Sequence, residues 1–212
     1  MATVTDCPEV ACTPEVACTP EETCTPEVDC KYANTMEKEL RKDAYCLNSK
    51  PEWKINGPTC IILKNSQVKT LIFLEDERMA KFEEMMDNEI PENKPWTQFM
   101  LQHYRHPKLK LVAIYVKGET NNYILSCESN EKLQFKDGNL PNKLEDKDQD
   151  ILFIMHNVPG YQKTQFKSYL HEEHYLACGD DDELVLKELD CEEPSTMFTV
   201  KICGAERICQ GL

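Results

Sequence analysis

Cysteine stands out among the side chains here with reactive chemistry. Twelve Cys occur among 212 residues, and Cys7, Cys12, Cys18, Cys24 and Cys30 all fall within the first 30. Successive hexads starting at Cys12, Cys18 and Cys24 each open Cys-Thr-Pro-Glu. Thiolates are soft metal ligands, but a six-residue interval is not the Cys-x2-Cys clamp that closes around zinc, and no His lies among them. A thiol-rich metal-binding protein is therefore one reading of this segment, and a low-complexity tail is the plainer one. His171-Glu-Glu-His174 has the composition of a zinc site, yet zincins place their two His at i and i+4 on a helix, not at i+3. A polar hairpin loop accounts for it. Asp180-Asp-Asp-Glu183 lacks the spacing and Gly of a calcium loop and reads as a solvated turn. With only seven Gly, the chain contains no phosphate-binding glycine motif. His103 and His106 flank Arg105 before Pro107, in turn-like surroundings. A Cys–His nucleophilic pair would be distant in sequence and has no local signature here. No catalytic residues, metal ligands or cofactor are assigned, and the chain is read as a non-enzyme.

The elements that would position any site are strands. Pro at every sixth residue forbids helix interiors and sheet centres in the repeat, which reads as extended and disordered. Met36, Leu40 and Ala44 share one face of a short, marginal helix. Lys50-Pro51 and Gly57-Pro58 punctuate the chain, so residues 1–43 are taken as a pro-segment and 44–212 as the folded domain. From Thr59 onward short runs rich in β-branched and aromatic residues recur: Cys60–Lys64, Val68–Leu74, Trp96–Leu101, Leu109–Val116, Tyr123–Cys127, Lys132–Phe135, Ile151–Met155, Thr164–Ser168, His174–Cys178, Leu184–Lys187 and Met197–Ile202. Such spacing predicts an all-β barrel or sandwich. Lys81–Met86 reads as a helical turn, and Asp137–Asp150 as a surface loop.

The formal net charge of −14 argues against nucleic acid and anionic membranes and favours a basic partner. It divides into −5 over residues 1–50 and −9 beyond, so the domain is acidic by itself. No apolar run approaches the roughly 18 residues of a membrane span, and Met1–Asp6 has no secretory leader pattern. The expectation is a chain made in the cytosol with reduced thiols. On that basis Cys60, Cys127 and Cys178 read as small buried apolar residues, while Cys191, Cys203 and Cys209 are exposed and open to oxidation or pairing.

A more specific signal lies towards the C-terminus. Phe153, Phe166-Lys-Ser168, Tyr175-Leu-Ala177 and Leu186 together resemble the signature of the interleukin-1 cytokine family. Tyr169, Glu172 and Cys178 depart from most members, and they point to one branch. Val158-Pro-Gly160, Met197-Phe-Thr-Val200, Phe82–Glu89, Asn93–Thr97 and Leu125–Glu128 are similar to that same branch. The resemblance covers about residues 60–202. It implies a β-trefoil of twelve strands, with six closing a barrel and six in capping hairpins. It also implies a monomeric, leaderless, pro-inflammatory cytokine precursor, cleaved by a caspase after an Asp and released unconventionally. The mature form would bridge two cell-surface receptor chains with immunoglobulin-like ectodomains.

Carried over residue by residue, the resemblance places Met85, Asp87 and Glu89 on a loop facing the primary receptor. Arg105, after Tyr104, matches a basic receptor contact. Lys136 and Asp150 match positions engaging the second receptor. His156 and Trp96 stand where the branch carries basic residues. Asp43, at the domain boundary, and Asp29, after Glu27-Val28, are the candidate cleavage points, since cutting needs an exposed, flexible segment. An interleukin-1β-like agonist or a receptor antagonist of the family is the alternative, with a trefoil protease inhibitor from a different class.

Overall fold

The runs rich in β-branched and aromatic residues become strands: burial alternates along Met79–Glu83, whereas Leu111–Val116 and Thr164–Ser168 are buried on both faces. The protein's structure, a computed structural model, describes residues 54–129, 131–188 and 193–204. The boundary between 43 and 44 lies outside them. Twelve strands follow in order: β1 Lys54–Lys64, β2 Thr70–Leu74, β3 Met79–Glu83, β4 Phe99–Tyr104, β5 Leu111–Lys117, β6 Asn122–Cys127, β7 Leu133–Asp137, β8 Phe153–Asn157, β9 Thr164–Ser168, β10 His174–Cys178, β11 Leu184–Glu188 and β12 Thr199–Ile202. Every pairing between them is antiparallel.

The pairings define a barrel. β12 lies on β1, β1 on β4, β4 on β5, β5 on β8 and β8 on β9. Thr164 and Phe198 close the ring between β9 and the approach to β12, exchanging backbone hydrogen bonds of 2.8 and 2.9 Å. The hairpins β2–β3, β6–β7 and β10–β11 stand off this ring. Each third of the molecule is thus two barrel strands flanking one hairpin. That is a β-trefoil, and its threefold repeat has no counterpart in residue identity. Closure removes the free edges that an open sheet would expose.

Ile61, Leu63, Phe99, Val112, Phe153 and Phe166 fill the barrel together with Phe73, Phe82, Leu125, Leu176 and Phe198 from the remaining elements, all in one cluster. β5 is buried along almost its whole length. Val112, Ile114 and Val116 face that cluster, whereas Leu111, Ala113 and Tyr115 face a second one with Tyr104, Leu109, Ile124 and Ile154. The outer cluster also takes Ile151 and Leu152, at the end of a 3-10 turn over Asp146–Ile151, with Leu140 and Leu144 packed against it. The loop expected at Asp137–Asp150 is therefore a lid on the outer face of β5.

Three local expectations change. The helical turn at Lys81–Met86 is instead strand β3 and the start of a loop. Ala80 and Phe82 are both 2% exposed on one face, and a strand alone puts residues two apart there. Gly57-Pro58 does not precede the sheet. It lies inside β1 at the register break between Ile55 and Thr59, where a bulge tolerates Pro. Trp96 and Thr97 form turn, and the strand expected from Trp96 begins at Phe99.

Candidate receptor-binding surfaces

The connection between β3 and β4 carries Met85, Asp87 and Glu89, and most of its order comes from hydrogen bonds within it. Glu89 accepts the Met86 N–H through Oε2 at 2.7 Å. Asn93 donates its side-chain amide to the Glu89 carbonyl at 3.0 Å, and Thr97 donates its hydroxyl to the Ile90 carbonyl at 3.0 Å. At its base the Trp96 carbonyl accepts the Phe73 N–H at 2.9 Å, and the Trp96 ring lies 6.0 Å from that of Phe73. Trp96 is thus an anchor of the loop rather than a free surface group.

Asp87 is fastened from below. Its Oδ1 lies 2.7 Å from Lys64 Nζ, and its Oδ2 3.1 Å from Lys201 Nζ. Lys64 sits on β1 and Lys201 on β12, two paired strands. The Lys64 side chain is only 5% exposed, whereas that of Asp87 is 69% exposed. The ion pair gives an otherwise buried ammonium a counter-charge. Hydrogen bonds from Lys64 and then Lys201 hold the Asp87 carboxyl below its usual range. A depressed folded value contributes stability above the unfolded pKa of ~3.9 that is lost as pH falls through the folded one. Asp87→Asn is expected to lower the unfolding free energy at pH 6 by less than about 1 kcal/mol, given solvent screening. The difference from the parent should disappear as pH drops well below 4. A midpoint difference unchanged between pH 6 and pH 2.5 would exclude the ionic role.

Lys136 on β7 and Asp150 in the 3-10 turn meet each other. Lys136 Nζ is 2.9 Å from Asp150 Oδ2, which also accepts the Ser126 hydroxyl at 2.7 Å. The two charges are partners, not independent contacts. Arg105 is exposed directly after β4, whereas its neighbour Tyr104 is buried and donates its hydroxyl to the Pro141 carbonyl at 2.8 Å. Lys64, Lys201 and Ser126, which brace the named residues, escape sequence reasoning because Lys201 and Asp87 are 114 positions apart and only barrel closure joins them. Met86, 68% exposed, also went unnoticed. An apolar residue beside three motif-matched positions was the available cue.

Other motifs settle as structure. His171 Nε2 is 2.7 Å from the Glu128 carbonyl, and His174 lies at the start of β10 with Nε2 3.3 Å from Glu131. The acidic run 180–183 is the turn from β10 to β11, and Asp182 pairs with Lys69 at 2.7 Å. Among the described residues, no group of three or more His, Cys, Asp or Glu is arranged to hold a metal ion.

Cys60 corrects the reduced-thiol reading. It is bonded to Cys203, with Cα atoms 5.3 Å apart. The reason is register: β12 runs antiparallel to β1, and the Cys203 N–H donates to the Cys60 carbonyl at 2.9 Å, within the Cα separation that a disulfide requires. Cys127 is buried and free, its thiol pushed up to about 12 mainly by burial. Cys178 is half-buried and raised for the same first reason. Neither is a poised nucleophile. Asp29, Asp43, Cys191 and Cys209 lie outside the described residues.

Barrel and hairpin caps define the class: a β-trefoil protein. Chicken interleukin-1β superposes with a TM-score of 0.57 at 13% identity, covering 71% of this chain and 99% of that one, which speaks for the fold. The family model described as Interleukin-1 / 18 matches residues 88–199. Interleukin-18 of Sus scrofa is 33% identical over 150 residues, covering 68% of this chain and 77% of that protein. Interleukin-18 of Homo sapiens is 35% identical over 144 residues, 65% and 72% of the two chains. The chain belongs to the interleukin-1/interleukin-18 family. It is a non-enzymatic cytokine of a family that acts on cell-surface receptors.

Proposed function

We propose that the chain is the precursor of a pro-inflammatory cytokine of the interleukin-18 type. Its mature domain acts as a monomer that bridges two receptor chains with immunoglobulin-like ectodomains. The observation that carries this reading is the prefolded loop between β3 and β4. Exposed Met86 and Asp87 stand on backbone already fixed by Glu89, Asn93 and Thr97. An apolar side chain beside a charge on a preordered loop fits a protein interface, because little entropy remains to be lost on docking. Arg105 supplies a further exposed cation, of the kind enriched in energetically dominant contacts.

Protein beginning at Ala44 is expected to capture the primary receptor ectodomain. Arg105→Glu should weaken capture by about tenfold or more while the thermal midpoint is kept, because a central Arg is commonly worth ~2 kcal/mol. Unchanged affinity would remove Arg105 from the interface. The mutual neutralisation of Lys136 and Asp150 favours a second reading, an antagonist that binds one receptor without recruiting the other. Retained capture without signalling in a reporter cell would decide for it.

Activation is assigned to caspase cleavage after Asp43 or Asp29, followed by release that bypasses the secretory leader route. Incubation of the full chain with inflammatory caspase should yield a new N-terminus at Ala44 or Cys30. An uncut chain would refute processing by that protease.

A further inference from the structure

In this acidic protein two stretches carry cations and no acid, beside the 137–150 lid whose Asp148 lies near Tyr104. No Asp or Glu occurs from Asn93 to Gly118, nor from Ile151 to His171. The fold sets these stretches side by side, since Leu111 pairs with Ile154 and Val112 with Phe153, and the Met155 N–H donates to the Lys110 carbonyl at 2.9 Å. At the end of that face the chain turns between β4 and β5, whose last pair is Tyr104 with Leu111. Arg105, Lys108 and Lys110 are all exposed on this turn. Among the described residues, no carboxylate forms an ion pair with Arg105 or Lys110.

The turn is built rather than loose. His106 Nδ1 accepts the backbone N–H groups of Lys108 and Leu109 at 3.2 and 2.9 Å. Leu109, 8% exposed, plugs the outer core from the same turn. Lys110 lies close enough to His103 to add to the effect of burial in lowering that imidazole's affinity for a proton. Lys54 joins this end through its pairing with Tyr104.

We propose that the Arg105–Lys110 turn is a binding site for a linear sulfated polysaccharide of the heparan sulfate class. The chemistry favours a polymer over an acidic protein loop. A protein interface concentrates its energy in a buried aromatic or apolar anchor with charges at the rim. Here the one large apolar side chain of the turn, Leu109, points inward, and the exposed groups are cations at close intervals. Such an array matches a repeating row of sulfates, where affinity comes from displaced counterions. The acidity of the rest of the domain then confines the polymer to this end by repulsion. The site shares Arg105 with the proposed receptor contact, but its test rests on Lys108 and Lys110, and it gives the protein a way to be held at cell surfaces.

The test uses the full chain on immobilised heparin, with free heparin and unsulfated hyaluronan as competitors. The protein should be retained at about 50 mM salt, and its affinity should fall about 16-fold by about 200 mM, as a log–log slope near −2 requires. Lys108→Ala/Lys110→Ala should bind at least about fivefold more weakly, and the control Lys117→Ala/Lys132→Ala should match the parent. Arg105 is left intact in both, so a failure here is separable from failure of the receptor contact. Absence of retention at low salt, equal loss in the two variants, or equal competition by hyaluronan would overturn the site. So would a Lys108→Ala/Lys110→Ala variant that keeps heparin but loses receptor capture, which would assign the turn to an acidic protein surface.

Discussion

Phe73→Ala is expected to destabilise the protein by about 3–5 kcal/mol, the range for emptying an aromatic site in a packed core. Phe73 is 1% exposed on β2, and three rings converge on it. Centroid distances are 4.7 Å to Phe135, 5.0 Å to Tyr123 and 6.0 Å to Trp96. These residues come from β7, from β6 and from the base of the loop between β3 and β4. The side chain therefore joins two thirds of the trefoil and supports the loop bearing Met85, Asp87 and Glu89. Neighbours cannot collapse fully into the gap, because each is held by its own strand pairing. Urea unfolding measures the loss, and Phe73→Leu, which retains most of the volume, should cost less than half as much. Hydrogen exchange adds a functional readout: amides of 85–97 should exchange faster in the alanine variant than those of β10–β11. A loss below 1.5 kcal/mol, or uniform exchange, would show that the cluster does not act as the joint.

The second large effect concerns the bridge between β1 and the end of β12. Closing a chain separation of 143 residues restricts the unfolded state by about 5 kcal/mol in the chain-entropy account, with measured values usually nearer 2–4. Cys60→Ser/Cys203→Ser should therefore lower the unfolding free energy by roughly 2–4 kcal/mol under non-reducing conditions. Parent protein in excess dithiothreitol should fall to the same midpoint, while the double variant should not respond to reductant. A parent insensitive to dithiothreitol would rule the bridge out as a source of stability. The loss has a local side as well, since Lys201 precedes the bridge and is one of the two cations on Asp87. Fraying of β12 should loosen that pair before the barrel opens.

Strand content was legible because short β-branched and aromatic runs bounded by turn residues are written within a few positions. Thr164–Ser168 and His174–Cys178 appear in the fold with the bounds read from the sequence, and most other runs shift by one to three residues. β3 was missed because Lys81-Phe-Glu-Glu-Met-Met has too few apolar positions to separate a period of two from a helical one, and packing of Ala80 and Phe82 decides it. The family, too, was legible, from short motifs on β8, β9 and β10 that the barrel later brings together. The candidate surfaces were legible only as positions. Nothing near Asp87 in sequence announces Lys201, and nothing near Lys136 announces that Asp150 will neutralise it.

Two properties met at the outset, many cysteines and a large negative charge, mark the division. Sequence by itself determined that the protein is all-β, acidic in its folded part, and related to interleukin-1 and interleukin-18, since each follows from composition or from contiguous residues. Among the described residues, tertiary structure decided which cysteines are free and which are joined, as Cys60 and Cys203 meet only when β12 returns to β1. It also decided where charge is spent internally, as on Asp87, and where it stays exposed, as on Arg105 and Lys110. The physical reason is the same in both cases. Strand periodicity is a local property of the backbone, whereas pairing of side chains across a closed barrel depends on register between strands far apart in the chain.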